Sequence, residues 1–359
     1  MKRAFAVVLV LALLASSFVF LPAFASNLDY WTEKAPTPDA IGIGYPANAA
    51  VLDGKIYTVA QGDMLEIYDP AADSWTRGTQ MPIRAVHMAI AACRNKIYVF
   101  SGITEVYDPA IGEWQTAASM PNPWAPAFPV GIQANVVDGK VYLIGGSRNW
   151  APYAYQFFSW NWMYDPASDS WSGRASIPLG VSGYASCVVD DKIYVIGGAY
   201  NYSGYAYYTD RVQIYDPRTD GWSEGVPLPD AMAWLAASAI VGSQVPKRIY
   251  VVGGMVLGDS GYYSVDWTQI YDLQAGWSRG SAMPTARRML VLANVNDTFY
   301  ALGGIDDSNN SFKVNEAYTP DYAPSSPSPA AGVAAAVIAL VAIVLWTRSL
   351  LHEPQKEKQ

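Results

Sequence analysis

The sequence predicts an all-β array of six repeated units, each of four short antiparallel strands, and three observations predict it. A strand of the Ile-Tyr type recurs, its tyrosine at Tyr57, Tyr98, Tyr142, Tyr194, Tyr250 and Tyr300. A second tyrosine follows in each unit, at Tyr68, Tyr107, Tyr164, Tyr215, Tyr271 and Tyr318. In five units a tryptophan comes six or seven residues later, at Trp75, Trp114, Trp171, Trp222 and Trp277, and a proline seven after that, at Pro82, Pro121, Pro178, Pro229 and Pro284. Self-similarity at a period of about 40 to 55 residues marks a repeat architecture, in which each unit buries its apolar face only against its neighbours.

The elements of one unit follow from local chemistry. The first strand is a run of small and β-branched residues such as Ala134 to Val137 or Ala237 to Val241. Asp53-Gly54-Lys55 and Asp138-Gly139-Lys140 then read as tight hairpin turns, because Asp-Gly tolerates the left-handed backbone such turns require. The second strand carries the Ile-Tyr tyrosine and ends in a glycine pair at Gly145-Gly146, Gly197-Gly198, Gly253-Gly254 and Gly303-Gly304; in the first two units the pair decays to Ala60-Gln61 and Ser101-Gly102. The third strand ends at the second tyrosine, mostly followed by Asp-Pro, where proline removes the next ladder donor and forces a turn. The fourth strand begins at the tryptophan.

A glycine pair, a tyrosine and a spaced tryptophan together resemble the kelch repeat, and the resemblance covers nearly all of residues 27 to 321. It implies a six-bladed kelch-type β-propeller of four-stranded antiparallel blades around a channel. The closure of the ring can also be read. The last tyrosine, Tyr318, has no tryptophan after it, whereas Trp31 and Pro38 near the start keep the seven-residue spacing. The N-terminal strand is therefore expected to complete blade six, pairing what would otherwise be an exposed edge.

Composition sets the outer limits. The chain of 359 residues is 51% hydrophobic and 15% charged, with 25 tyrosines, 13 tryptophans and a net charge of −8. No basic patch is concentrated anywhere, which argues against nucleic acid as a partner. Lys2 and Arg3, the apolar run from Ala4 to Leu21 and Ala23-Phe24-Ala25 read as a signal peptide over residues 1–25. The propeller is then expected over 26–321 and a Pro/Ser stalk over 322–329. An apolar transmembrane helix follows over 330–347, and a basic cytoplasmic tail over 348–359. This places the protein in the cell membrane as a single-pass chain, with the propeller outside. Cys93 and Cys187 occupy the same kind of strand in units two and four, too far apart for a disulfide, and read as buried free thiols.

Function is expected in the segments that the repeat does not explain. Between the glycine pair and the second tyrosine, units three to six carry long inserts, Ser147 to Met163, Ala199 to Ile214, Met255 to Ile270 and Ile305 to Ala317; units one and two carry almost nothing. In an antiparallel blade these inserts emerge on the same face as the links to the next blade. Three are rich in aromatics: Trp150, Tyr153, Tyr155, Phe157, Phe158, Trp160 and Trp162; Tyr200, Tyr202, Tyr205, Tyr207 and Tyr208; Tyr262, Tyr263 and Trp267. The links add Trp124, Phe128, Tyr184 and Trp234. Flat rings with a polar handle suit a sugar or a protein epitope, although the alternation Phe158, Trp160, Trp162, Tyr164 also fits an extension of the third strand. The expected ligand-binding set is Trp150, Tyr153, Tyr155, Trp160, Tyr200, Tyr202, Tyr205, Tyr207, Tyr208, Tyr262, Tyr263, Trp267, Trp124 and Trp234.

Enzyme readings have less support, and no catalytic residue is assigned. Galactose oxidase is similar in its kelch-like propeller, but its copper needs two histidines where residues 26–329 hold only His87. The aspartates Asp73 and Asp169 stand too close to Trp75 and Trp171 for the Asp-box of sialidases. Six-bladed kelch proteins include a sialic-acid mutarotase, for which Glu224, Arg211, Arg148 or Asp210 could supply acid and base. Arg84, Arg287 and Arg288 read as solvated rim charges. No metal or cofactor is expected. Sequons stand at Asn201, Asn296 and Asn309. The expectation is a membrane-anchored binding or adhesion module for a carbohydrate or protein, the alternatives being a sugar-processing enzyme and a structural component of the cell envelope.

Overall fold

The computed structural model describes residues 29–42, 49–85, 87–121, 129–150, 154–203, 205–241 and 247–321, without the side chains of 149, 150, 154 and 155. The expected signal peptide, stalk, transmembrane helix and tail lie outside the described residues, among which no helix is long and apolar enough to cross a membrane.

Six four-stranded antiparallel sheets are present among the described residues. Sheet one comprises Ala50–Leu52, Lys55–Ala60, Met64–Asp69 and Ser74–Arg77; sheet two Ala89–Cys93, Lys96–Phe100, Thr104–Asp108 and Glu113–Ala117. Sheet three comprises Ala134–Val137, Lys140–Ile144, Asn161–Asp165 and Ser170–Gly173; sheet four Ala185–Val189, Lys192–Ile196, Val212–Asp216 and Gly221–Glu224. Sheet five comprises Ala236–Ile240, Arg248–Val252, Thr268–Asp272 and Gly276–Arg279. In sheet six Val291–Val295, Thr298–Leu302 and Asn315–Thr319 are joined by the N-terminal strand Tyr30–Glu33, which puts Trp31 opposite Tyr318. The first strand of each sheet contacts that of the next, and Ala50–Leu52 contacts Val291–Val295, so the sheets close into a ring.

The turns form as their residues dictate. Asp53 and Gly54 take φ of 51° and 71°, and Asp138 and Gly139 take 49° and 66°, the two left-handed residues of a type I′ hairpin. The core lies between sheets rather than within one. Apolar clusters fill the spaces from sheet six to one, one to two, two to three, three to four and four to five. Between five and six, the Tyr250 ring packs on Phe299 and Tyr318. Cys93 and Cys187 are buried, free and in different sheets.

A recurrent stitch joins each sheet to its predecessor. The indole N–H of Trp75 donates to the Ala35 carbonyl at 2.8 Å, Trp114 to Thr79, Trp171 to Ala118, Trp222 to Ala175, Trp277 to Val226 and Trp31 to Ser281. The strand-three tyrosine adds a second tie where an aspartate stands two residues before the tryptophan. Tyr68, Tyr164 and Tyr215 donate to Asp73, Asp169 and Asp220 at 2.5 to 2.7 Å. Those same carboxylates accept the backbone N–H of Ala35, Ala118 and Ala175. At the seam Tyr318 donates to Asp29, and Asp29 accepts the Ser281 N–H. The N-terminal strand thus reproduces the unit's Asp-x-Trp chemistry in full.

Candidate functional site

Three of the four long inserts fold as additional hairpins. Ser147–Trp150 pairs with Ala154–Phe157, Ala199–Tyr202 with Tyr205–Tyr208, and Met255–Gly258 with Gly261–Ser264. They are called here hairpins three, four and five, after their sheets. The links run beside them: Val130 bridges Ser147, Ser182 bridges Ala199, Thr209 bridges Met232, and Met232–Ala233 forms a third strand on hairpin five. Left-handed glycines begin each hairpin. Gly197 takes φ of 63°, and a Cβ there would stand 2.8 Å from the Met232 carbonyl oxygen, so only glycine lets the link approach so closely.

Register sorts the tyrosines of hairpin four. Tyr200 is opposite Tyr207 and Tyr202 opposite Tyr205, so all four share one face; Tyr208 lies on the other face with Ala199, Asn201 and Ala206. Tyr202 and Tyr205 are 63% and 71% exposed, and Tyr207, Tyr262 and Tyr263 are also exposed. Tyr202 meets Tyr207 edge to face at 5.8 Å, and Tyr208 packs on Tyr262 of hairpin five at 4.7 Å. Two open cavities lie here. One, of about 350 Å³, is lined by Val130, Ser147, Ser182, Tyr208, Trp234 and Tyr262 among others; the second, of about 340 Å³, by Tyr207, Tyr208, Asp230, Tyr262, Tyr263 and Trp267 among others.

Not every expected site residue joins this face. Trp124 and Tyr153 lie outside the described residues, as do the side chains of Trp150 and Tyr155, whose backbones are paired in hairpin three. Trp160 is half-buried away from hairpins four and five. It stacks on buried Phe158 at 4.0 Å, nearly parallel, and packs against the core between sheets two and three, because alternation turns it inward. Trp162 packs against the same core. Tyr200 is half-buried against the core between sheets three and four. Trp267 is half-buried too, with the Arg279 guanidinium over its ring at 4.0 Å, but one edge reaches the second cavity.

The expectation for the link arginines divides. Arg84 is exposed, whereas Arg287 is wholly buried and Arg288 nearly so. Arg287 donates to the Glu316 carboxylate at 2.5 Å and to the carbonyls of Thr285 and Ala301. Arg288 donates to Ser264 of hairpin five and to Asp306, Asp307 and Asn309 of the sheet-six insert. Both are drawn inward because the link and insert place oxygens around them. The residues considered for acid-base work do not converge on the cavities: Arg211 and Glu224 form an exposed pair at 3.6 Å near the outer edge of sheet four.

A polar position on strand three escaped the sequence reading. Two residues before the second tyrosine stand Glu66, Glu105, Gln213, Gln269 and Glu316, all buried. Glu66 accepts the Asp39 N–H, Glu105 that of Ile83 and Gln213 that of Leu179, each just after the link proline. Burial pushes the Glu105 carboxyl up to about 7, and burial with the nearby Asp39 charge does the same for Glu66. The signal was available as a polar residue at a fixed offset within an otherwise apolar strand. Among the described residues no cluster of His, Cys, Asp and Glu could hold a metal ion.

Comparison with known proteins places this geometry. The family model described as Kelch motif matches residues 130–176 and 180–229. Human Kelch-like protein 23 is 28% identical over 268 residues, which cover 72% of this chain and 44% of that protein. Zebrafish (Danio rerio) Kelch-like protein 26 is 26% identical over 226 residues, 60% of this chain and 36% of the relative. The chain thus spans less than half the length of these curated relatives. A solved structure titled "Structure of YjhT" superposes with a TM-score of 0.66 at 18% identity, covering 79% of this chain and 95% of that one. At that identity the likeness concerns the fold alone.

Proposed function

Since the chain is built of kelch repeats, we propose that it is a binding module, a six-bladed propeller whose recognition face is the hairpin rim of sheets three to five. The carrying observation is that Tyr202, Tyr205, Tyr207, Tyr262 and Tyr263 are all exposed on two neighbouring hairpins, with Tyr207, Tyr262 and Tyr263 lining the second cavity and Tyr202 packed on Tyr207. Isolated exposed apolar residues need no explanation, but a contiguous group of large ones does. Tyrosine also loses little side-chain entropy on binding. The module is displayed outside the cell, held by the apolar segment 330–347, and its partner is a carbohydrate or a protein. Sheets one and two, with short connections on this face, act as scaffold.

The test is a screen of surface glycans and surface proteins with the full-length chain, repeated with the triple variant Tyr205→Ala/Tyr207→Ala/Tyr263→Ala. Binding lost in the triple variant but kept by Ile111→Ala, an exposed residue at a strand-three-to-four turn, supports the reading. Binding unchanged in the triple variant moves the site off this face. Protease protection of the tail, and not of sheets one to six, in intact cells checks the orientation.

A further inference from the structure

The two cavities share one wall. Tyr208 from hairpin four and Tyr262 from hairpin five line both, their rings 4.7 Å apart and inclined at 46°. On one side the polar floor is a pair of hydroxyls: Ser147 and Ser182 are hydrogen-bonded at 2.9 Å, and Ser182 also donates to the Val130 carbonyl. Among the described residues no carboxylate, guanidinium or ammonium lines that cavity. On the other side Asp230, the single charged residue lining it among the described residues, is paired with Arg279 at 3.1 Å, and that guanidinium lies over Trp267. Residues 199–208 carry no charged side chain at all.

These walls select a class of occupant. An ion entering the first cavity would lose hydration with no opposite charge to meet it, which is costly. A neutral polyhydroxylated ring meets what it needs: aromatic faces for its C–H surface, serine and tyrosine hydroxyls for its own hydroxyls, and a carboxylate acceptor at the far end. Each cavity sits at the lower end of the roughly 300 to 1,000 Å³ found for small-molecule sites. Among the described residues the two cavities share only Tyr208 and Tyr262, so one ligand occupying both must be a chain with a linkage crossing that pair. We propose that the two cavities are adjoining subsites for a neutral oligosaccharide of two or more units, with one sugar ring on each side of Tyr208 and Tyr262. The proposal rests on the reading of the hairpin rim as the recognition face.

The experiment uses the purified full-length chain on an array of neutral oligosaccharides of graded length, with sialylated, sulfated and uronate-containing counterparts, followed by calorimetric titration of the strongest neutral binder and its monosaccharide. The expected result is a preference for neutral chains, with the monosaccharide at least about tenfold weaker. Tyr262→Ala should weaken the chain about tenfold, while Tyr208→Phe, which keeps the ring, should stay within about threefold of the parent. Tyr262 is exposed enough for its truncation to leave the fold intact, and an unchanged melting temperature verifies this. Equal affinity for the monosaccharide, preference for anionic glycans, or no glycan binding overturns the proposal. If a partner is lost by the triple variant Tyr205→Ala/Tyr207→Ala/Tyr263→Ala but untouched by Tyr262→Ala, the subsites fall and the recognition face stands. If neither variant alters any binding, both fall.

Discussion

At the scale of single residues, the buried polar position on strand three adds a pH-dependent contribution to stability. Glu105 is 1% exposed; one carboxylate oxygen accepts the Ile83 N–H at 3.2 Å and the other has no partner. Its carboxyl moves from an ordinary value near 4.5 up to about 7. The folded state therefore holds this proton more tightly than the unfolded state. The contribution of this group to stability is greatest below about pH 4.5, falls as pH rises towards 7, and stays low above it. Sheet four shows the remedy, since Gln213 bonds both the N–H and the carbonyl of Leu179. Glu105→Gln is expected to raise the melting temperature at pH 8, to do little at pH 4.5, and to flatten the profile between; an equal shift at both pH values would contradict the assignment. Arg287 and Glu316 make the opposite case, a buried pair whose charges are matched, although the guanidinium Nε has no hydrogen-bond partner. Arg287→Ala strands the Glu316 charge and should cost about 3 to 5 kcal/mol in urea denaturation, whereas Arg287→Met with Glu316→Gln should recover at least half of that. A cost below about 1 kcal/mol for the single change would show that water reaches the pair. The sequence could not place these arginines, because two adjacent cations in a link look alike whether they face solvent or a carboxylate brought in from another strand.

At the scale of elements, the strands of the repeat were readable because each carries its own local instruction: Asp-Gly for a type I′ turn, a glycine pair for close approach, and proline where pairing stops. The inserts were less readable. Their aromatic content was plain, but which rings point out depends on register, and register in hairpin four is set by Ala199 facing Tyr208. Trp160 shows the consequence, since its neighbour Phe158 and the third strand turn it towards the core. The N-terminal strand is the element whose identity spacing alone revealed. Trp31 packs on Tyr318 at 5.1 Å, and its indole reaches the Ser281 carbonyl at 3.0 Å. Because the ring is half-buried, Trp31→Ala should cost about 3 kcal/mol, the lower end for a large aromatic truncation. Hydrogen exchange should quicken first in Thr298–Leu302 and Asn315–Thr319. Equal labilisation of sheet three would mean that the strand does not act locally.

At the scale of the whole molecule, the ring is continuous in space but has one seam in sequence. Five sheets are each made from one contiguous stretch, while sheet six is assembled from Tyr30–Glu33 and residues almost three hundred positions later. Every neighbouring pair of sheets carries the same tryptophan stitch, so the seam is no weaker in contacts. It differs in loop-closure entropy, which a contiguous sheet meets within about 50 residues and the seam only across nearly the whole chain. Opening is therefore expected at the strand Tyr30–Glu33 first. A disulfide there tests the idea directly. Thr32 stands opposite Ala317, and directly paired residues in antiparallel strands have Cα atoms about 4.5 to 5.5 Å apart, inside the range a disulfide spans. Cys93 and Cys187 are buried and leave the new thiols to pair with each other. Thr32→Cys/Ala317→Cys should raise the melting temperature on oxidation and lengthen the unfolding half-life, with a gain of up to about 5 kcal/mol for so long a loop. The control is Met163→Cys/Ser172→Cys, a directly paired position in sheet three that closes a short loop. If the oxidised control gains as much as the oxidised seam variant, the ring does not open at its N-terminal strand, and all six sheets give way together.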